Sequence, residues 1–239
     1  METGAVTVIG CDVGTQSTKG VLVSESGDVI STASARHAVE FPAAGWAQQD
    51  PLEWLSAVRT VVSTLAAESP DPVRCVGVSA QVDGVVATND RLQPLHPALI
   101  WMDRRSADSA AEVGHRLGMD EIFAVTGLNC DGSHGGPKMR WLLDHLTEDP
   151  AHLLPPATVV TSWLTGNVAQ DHANASSSML YDVSSRTWSP MMTEAFGVDP
   201  ETLPTIVDAT DEIGSVRPAL AGDLGLSPDC LVVAGTGDD

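Results

Sequence analysis

Residues 8–19, VIGCDVGTQSTK, constrain this chain most. An apolar run over 6–11 reaches a carboxylate at Asp12, and Gly14, Thr15, Gln16, Ser17, Thr18 and Lys19 follow it. A second apolar run, 20–23, comes next. The pattern predicts strand, tight polar turn, strand. The backbone N–H groups of such a turn can converge on an anion, and phosphate fits best. Asp12 stands at the strand end, where a carboxylate can hold a hydrated Mg²⁺. The competing reading is an ordinary hairpin whose Ser and Thr satisfy their own backbone. The G-x-x-x-x-G-K-[ST] loop is absent, so this is not a Walker site.

The 239 residues suffice for a sizeable core without disulfides. Twelve Lys and Arg against 32 Asp and Glu give a net charge of −20. That argues against nucleic acid and against an anionic membrane surface as partners. It leaves room for a phosphate ligand, because a metal and backbone N–H groups override the bulk sign locally. Cys11, Cys75, Cys130 and Cys230 form no C-x-x-C. They read as reduced, buried thiols of a cytoplasmic protein. The first residues, METGAVTV, lack the basic and apolar segments of a secretory signal. No apolar stretch approaches the roughly 18 residues of a membrane span.

Strands are expected at 6–12, 19–24 and 29–37, the last two joined by a turn at 26–28, as an antiparallel meander. A loop at 41–49 carries an isolated Trp46. Asp50-Pro51-Leu52-Glu53 reads as a helix start, with an Asp cap, Pro in the first turn and Glu three residues on. Leu52, Leu55, Val58, Val62 and Leu65 mark that helix's apolar face. Strand 73–79 is dense in Val and reads as buried on both faces. It leads into Gln81-Val82-Asp83-Gly84. Further strands are expected at 85–89, 98–101 and 230–234. Helices are expected at 106–117, 121–125, 137–146, 158–164, 191–196 and 218–224. Loops are expected at 129–137 and at 171–178, the latter a polar run rich in hydroxyls. Strands then helices in alternation indicate one α/β domain. The last strand opens into Gly235-Thr236-Gly237-Asp238-Asp239. A strand that delivers such a turn is expected to lead into a further element, so the chain reads as part of a larger protein.

Together these stretches resemble the FGGY family of carbohydrate kinases, and within it the xylulokinase-like branch. The likeness rests on Asp12 to Gly14 with Thr15, Ser17, Thr18 and Lys19, on Trp46 with Asp50, Pro51 and Trp54, and on Gln81 to Gly84. It continues through Trp101 to Arg105, Pro137-Lys138, Leu164 to Gly166, Asp171 with Ala175, Ser176 and Leu180 to Asp182, and Ala234 to Asp238. No single match is specific; their order and spacing are. The resemblance implies an actin-like, ribonuclease-H-type domain with a mixed sheet, an antiparallel N-terminal meander and flanking helices. Residues 1–239 would be the N-terminal, sugar-binding and catalytic domain, with most of the ATP pocket in a C-terminal domain outside this chain. The implied reaction is ATP-dependent phosphorylation of a sugar hydroxyl, first of all D-xylulose to its 5-phosphate, with Mg²⁺. A polyol or another sugar, or a non-catalytic binding module of the same fold, are the alternatives. The full-length protein could be a homodimer.

The resemblance also assigns roles. Asp238 matches the catalytic base, which accepts the proton of the attacking hydroxyl. Asp12, Gly14, Thr15, Ser17, Thr18 and Lys19 would meet nucleotide phosphate, Asp12 through Mg²⁺. Gln81, Val82, Asp83, Asp103 and Arg105 would line the sugar pocket. For Asp103 and Arg105, a surface ion pair or a helix cap is the competing reading. His172 and Asn174 read as polar-loop residues, and Trp54 as core. Three departures stand out: Asp83 where xylulokinases usually carry His, Asp239 where Asn is usual, and no Lys-Asp pair near Pro156. The first matters chemically. A carboxylate only accepts hydrogen bonds from hydroxyls, whereas neutral His can also donate one to a ketose carbonyl.

Overall fold

The three N-terminal strands pair as the alternation predicts. In the computed structural model, which describes residues 6–238, β1 (Thr7–Val13) pairs antiparallel with β2 (Ser17–Ser24), and β2 with β3 (Val29–Arg36). β4 (Val73–Ala80) joins β1 in parallel. β5 (Glu212–Ser215), β6 (Leu231–Val233) and β7 (Thr236–Gly237) complete a seven-stranded sheet. Its order is β5-β6-β4-β1-β2-β3, and β7 pairs with β4 beyond the end of β6. Asp239 lies outside the described residues.

Eight α-helices are described: α1 (Pro51–Glu68), α2 (Ala107–Leu117), α3 (Met119–Thr126), α4 (Gly135–His145), α5 (Pro156–Thr165), α6 (His172–Ser177), α7 (Pro190–Phe196) and α8 (Pro218–Leu224). α1 begins where the sequence signals it. Asp50 accepts from Leu52 N at 2.9 Å, and Pro51 occupies the first turn. Glu53 does not close a capping box; its carboxylate accepts from Ala38 N at 2.9 Å and ties the exit of β3 to the helix. Trp54, Val58, Val61, Val62 and Leu65 are fully buried between α1 and the sheet, which settles Trp54 as core. α5 and α8 add Val160, Leu164, Ala221 and Leu224 to that layer. A second apolar cluster gathers Ile122 of α3, Leu142 of α4, and Met192 and Phe196 of α7.

Two expectations are corrected. Strand 73–79 is buried on one face only: Val73, Val76, Val78 and Ala80 point inward, while Cys75, Gly77 and Ser79 are half-exposed. The physical reason is that α1, α5 and α8 share one buried layer. The opposite face is open, with Val8 40% and Val21 38% exposed on it. The polar run 171–178 is a helix, not a loop. Asp171 caps α6 by accepting from Ala173 N and Asn174 N, and Ser176, Ser177 and Ser178 hydrogen-bond to carbonyls three residues back. Hydroxyls satisfied by their own backbone look like loop residues in composition alone.

Candidate functional site

Three parallel strands end at one edge of the sheet, and their last residues lie in register. Asp12 of β1 pairs with Ser79 of β4, and Ser79 with Thr236 of β7. Ligands of open α/β sheets collect at such carboxyl ends. A cavity of about 360 Å³ opens there, lined by Thr15, Gln81, Val82, Asp83, Trp101 and Asp238. Beside it, Asp12, Lys19 and Thr236 border a second cavity of about 470 Å³ on the open sheet face. Burial, and then the negative charge of Asp238, push the Asp12 carboxyl above its ordinary range, while Lys19 pulls it down. The two carboxylates therefore sense one another across the sequence. Asp12 Oδ1 is buried with no hydrogen-bond partner among the described residues.

Local structure fixes the strand that delivers Asp238. Gly235 has φ +72°, and a Cβ there would stand 1.8 Å from Val78 O. Only glycine lets the chain turn against β4 at that point. Thr236 Oγ1 then donates to Asp171 Oδ2 at 2.9 Å, which ties β7 to the start of α6. Asp171 was legible only as part of a motif; its contact with Thr236 is a product of the fold. Asn174 is buried and donates to Asp171, and His172 Nδ1 pairs with the Tyr181 hydroxyl, so both serve structure here.

The turn after β1 closes with Gly14 N donating to Ser17 O at 3.1 Å. Thr15 Oγ1 accepts from Trp101 Nε1 at 3.0 Å, which leaves its own hydrogen free to donate. Along β2, Ser17 and Lys19 share the open face with Asp12. Thr18 does not: it is fully buried on the core face, with Oγ1 unpartnered among the described residues. The expectation that Thr18 meets phosphate is corrected by the period of two along a strand, which sends it the opposite way from its neighbours.

Gln81 is buried, and its Nε2 donates to Gln49 Oε1 at 2.8 Å. Gln49 Nε2 in turn reaches Thr15 O and Ala38 O, both at 2.8 Å. One buried amide thus joins the polar turn to the Gln81 loop, a link invisible in sequence. Asp103 and Arg105 do not line the cavity. Asp103 is fully buried, accepts from Ala47 N, and pairs with Arg105 at 2.8 Å. The Arg105 guanidinium lies 3.9 Å from the Trp46 ring centroid and 5.0 Å from that of Trp141. This is neither a surface pair nor a sugar contact. It is a buried brace that holds the 41–49 loop, because a carboxylate and a guanidinium out of water satisfy one another first.

Asp83 enters the cavity from a left-handed backbone, φ 58°. Its carbonyl accepts from Lys138 Nζ at 2.5 Å, and its Oδ1 faces His134 Nδ1 at 3.3 Å. Lys138 is fully buried and also donates to Ser133 O. Burial lowers its ammonium from 10.5 to about 7, against the opposing pull of Asp83 and Asp103. Between those values the unfolded chain binds more protons than the folded one, so stability rises with pH. The thiols oppose this from above, since burial raises Cys11 and Cys230 to about 12. Above roughly pH 8.5 the unfolded chain sheds thiol protons that the fold retains, and stability falls. A net rise on the order of 1 kcal/mol is expected from about pH 7 to about pH 8.3. Urea unfolding at the two pH values measures it. Lys138→Met should lower stability at both and flatten the rise; an equal rise in the variant would refute the assignment to Lys138.

The fold and its edge define an α/β domain of the sugar-kinase type, with a polar turn and two carboxylates gathered at parallel strand ends. The chain belongs to the FGGY family of carbohydrate kinases: the family's N-terminal domain matches residues 7–239. It is 30% identical over 238 residues to the xylulose kinase of Lactococcus lactis, covering 97% of this chain and 47% of that protein. It is 30% identical over 229 residues to the glycerol kinase of Synechocystis, covering 90% of this chain and 46% of the other. The crystal structure of xylulose kinase from Rhodospirillum rubrum superposes with a TM-score of 0.92 at 26% identity, over 97% of this chain and 49% of that one. The chain spans about half the length of the relatives it matches. Among the described residues, no helix is long and apolar enough to cross a membrane.

Proposed function

We propose that this chain is the N-terminal, sugar-binding and catalytic domain of an ATP-dependent kinase that phosphorylates a terminal hydroxyl of a pentulose, D-xylulose first. The observation that carries the reading is the shared edge: Asp238 in a sugar-sized cavity, and Asp12 beside it on a face suited to phosphate. Asp238 accepts the proton of the attacking hydroxyl. Thr15 donates its free hydroxyl hydrogen to phosphate, and Ser17 and Lys19 add a hydroxyl and a positive charge on the same face. Gln81, Val82 and Asp83 hold the sugar. Such transfer is mostly positioning and charge stabilisation.

The residues present fit Mg²⁺. Asp12 Oδ1 is a buried oxygen without a partner among the described residues. No cluster of three metal-ligating side chains is found among them. One carboxylate, with phosphates and water completing the shell, is the usual Mg²⁺ arrangement. When bound with ATP, the ion would offset charge on the transferred group. Asp12 would orient it or its waters.

A polyol substrate is the second reading, and Asp83 favours it: the carboxylate lines the cavity and can only accept hydrogen bonds. The four cysteines are free, which supports a cytoplasmic enzyme. The test is coupled ADP release by the full-length gene product across D-xylulose, pentitols and hexuloses. Sugar-dependent ADP release is expected, highest with a five-carbon substrate. Absence of release with every member would overturn the kinase reading.

A further inference from the structure

Resting on that reading, we propose that His134 and Lys138 are positioning residues that act through Asp83, and that the three together select a hydroxyl over a carbonyl oxygen at this wall of the cavity. Three observations converge on it. Asp83 is not glycine, yet its backbone is left-handed at φ 58°, a conformation that costs energy and persists where surroundings impose it. The fully buried Lys138 amine braces it here through the Asp83 carbonyl. Lys138 Nζ binds the carbonyls of Asp83 and of Ser133, the residue before His134. One buried side chain thus clamps two loops, and the side chains that follow from the clamp meet: His134 Nδ1 stands 3.3 Å from Asp83 Oδ1.

The pair is sheltered, its side chains 16% and 17% exposed. With its hydrogen on Nδ1, the imidazole occupies Oδ1 of Asp83. Oδ2 is then the oxygen left to receive a substrate hydroxyl. A carbonyl oxygen brought to the same point would meet lone pairs without a hydrogen between them, and a sugar carboxylate would meet like charge. The neighbouring helix start is built to keep this arrangement. Gly136 N donates to Ser178 O at 2.6 Å, which fixes the turn carrying His134 against the end of α6. The substrate class this wall fits is a neutral polyhydroxy chain that presents a hydroxyl, rather than the ketone, at the position facing Asp83.

The test uses the full-length kinase and the ratio of kcat/KM for D-xylulose to that for its reduced pentitols. Asp83→Asn and His134→Ala are each expected to shift the ratio towards the ketose by about 10-fold, with the KM for ATP within about 2-fold of wild type. The Asp83→Asn, His134→Ala double variant is expected to show no larger shift than either single variant, because His134 acts through Asp83. A loss of general structure would lower both substrates alike and leave the ratio alone. Lys138→Met should raise the sugar KM and shift the ratio the same way; if it fails to fold, the His134 cycle decides. Ratios unmoved in the single variants, or shifts that multiply in the double, overturn the proposal. A wild-type enzyme that phosphorylates no member of the panel sinks the kinase reading itself, and this one with it.

Discussion

Asp238→Asn in the full-length protein is expected to lower sugar-dependent turnover by roughly 10²–10⁴-fold while sugar binding is largely kept. The substitution preserves volume and one acceptor oxygen, and it removes the only function that the proposed mechanism asks of this side chain, which is taking a proton. The fold leaves the rest in place. β7 is pinned by Gly235 against β4 and by Thr236 on Asp171, so the backbone that presents residue 238 does not depend on its charge. The cavity wall of Thr15, Gln81, Val82 and Asp83 is likewise untouched. The loss should therefore fall on kcat, with the sugar dissociation constant from calorimetry changing by no more than about 3-fold. Removing a group used only in the transition state has that signature. Turnover within a factor of a few of wild type would mean that Asp238 is not the base.

Much of the frame that places Asp238 was legible beforehand. The alternation over 6–24 sets the β1–β2 hairpin, and Asp50-Pro51 sets the start of α1, because both signals are local and each has one physical cause. The meeting of Asp12 with Asp238 was legible at one remove, since parallel strands present their carboxyl ends together. Thr18 was not. Val21 and Leu22 are both apolar, so the period of two along β2 does not reveal which face is inward until α1 is seen to cover it. Asp103 and Arg105 were misplaced because their fate depends on Trp46, Ala47 and Trp141, all remote in sequence. His134 carried no signal at all, and Lys138 only one as half of the Pro137-Lys138 match, with nothing to place it. A lysine three residues into a helix looks like a solvated face, and only the approach of the Asp83 loop makes it a buried clamp. What stayed hidden was the long-range pairing of polar groups, which sets the inner wall of the site.

Asp12→Asn is expected to separate catalysis from stability in opposite directions. In the folded chain Asp12 is costly: its Oδ1 is buried without a partner among the described residues, and burial and Asp238 both disfavour its charge. A raised carboxyl means that the folded state holds its proton more tightly than the unfolded one. Stability contributed at low pH is then lost as pH rises past the ordinary carboxylate value, and at neutral pH the charged form is a net burden. Asn removes the charge at nearly constant volume, so the metal-free protein should melt higher than wild type at neutral pH. Function should move the other way. Loss of the carboxylate is expected to raise the Mg²⁺ concentration for half-maximal turnover by about 10-fold or more and to slow turnover at saturating Mg²⁺. The contrast with Asp238→Asn is the test of two roles at one edge. Only the residue-12 variant should shift the Mg²⁺ requirement, and only the residue-238 variant should leave that requirement unchanged while turnover collapses. Thermal melts without metal and Mg²⁺ titrations of sugar-dependent ADP release read both. An Asp12→Asn protein that melts lower, with its Mg²⁺ requirement unmoved, would show Asp12 to be a structural strand-end carboxylate instead.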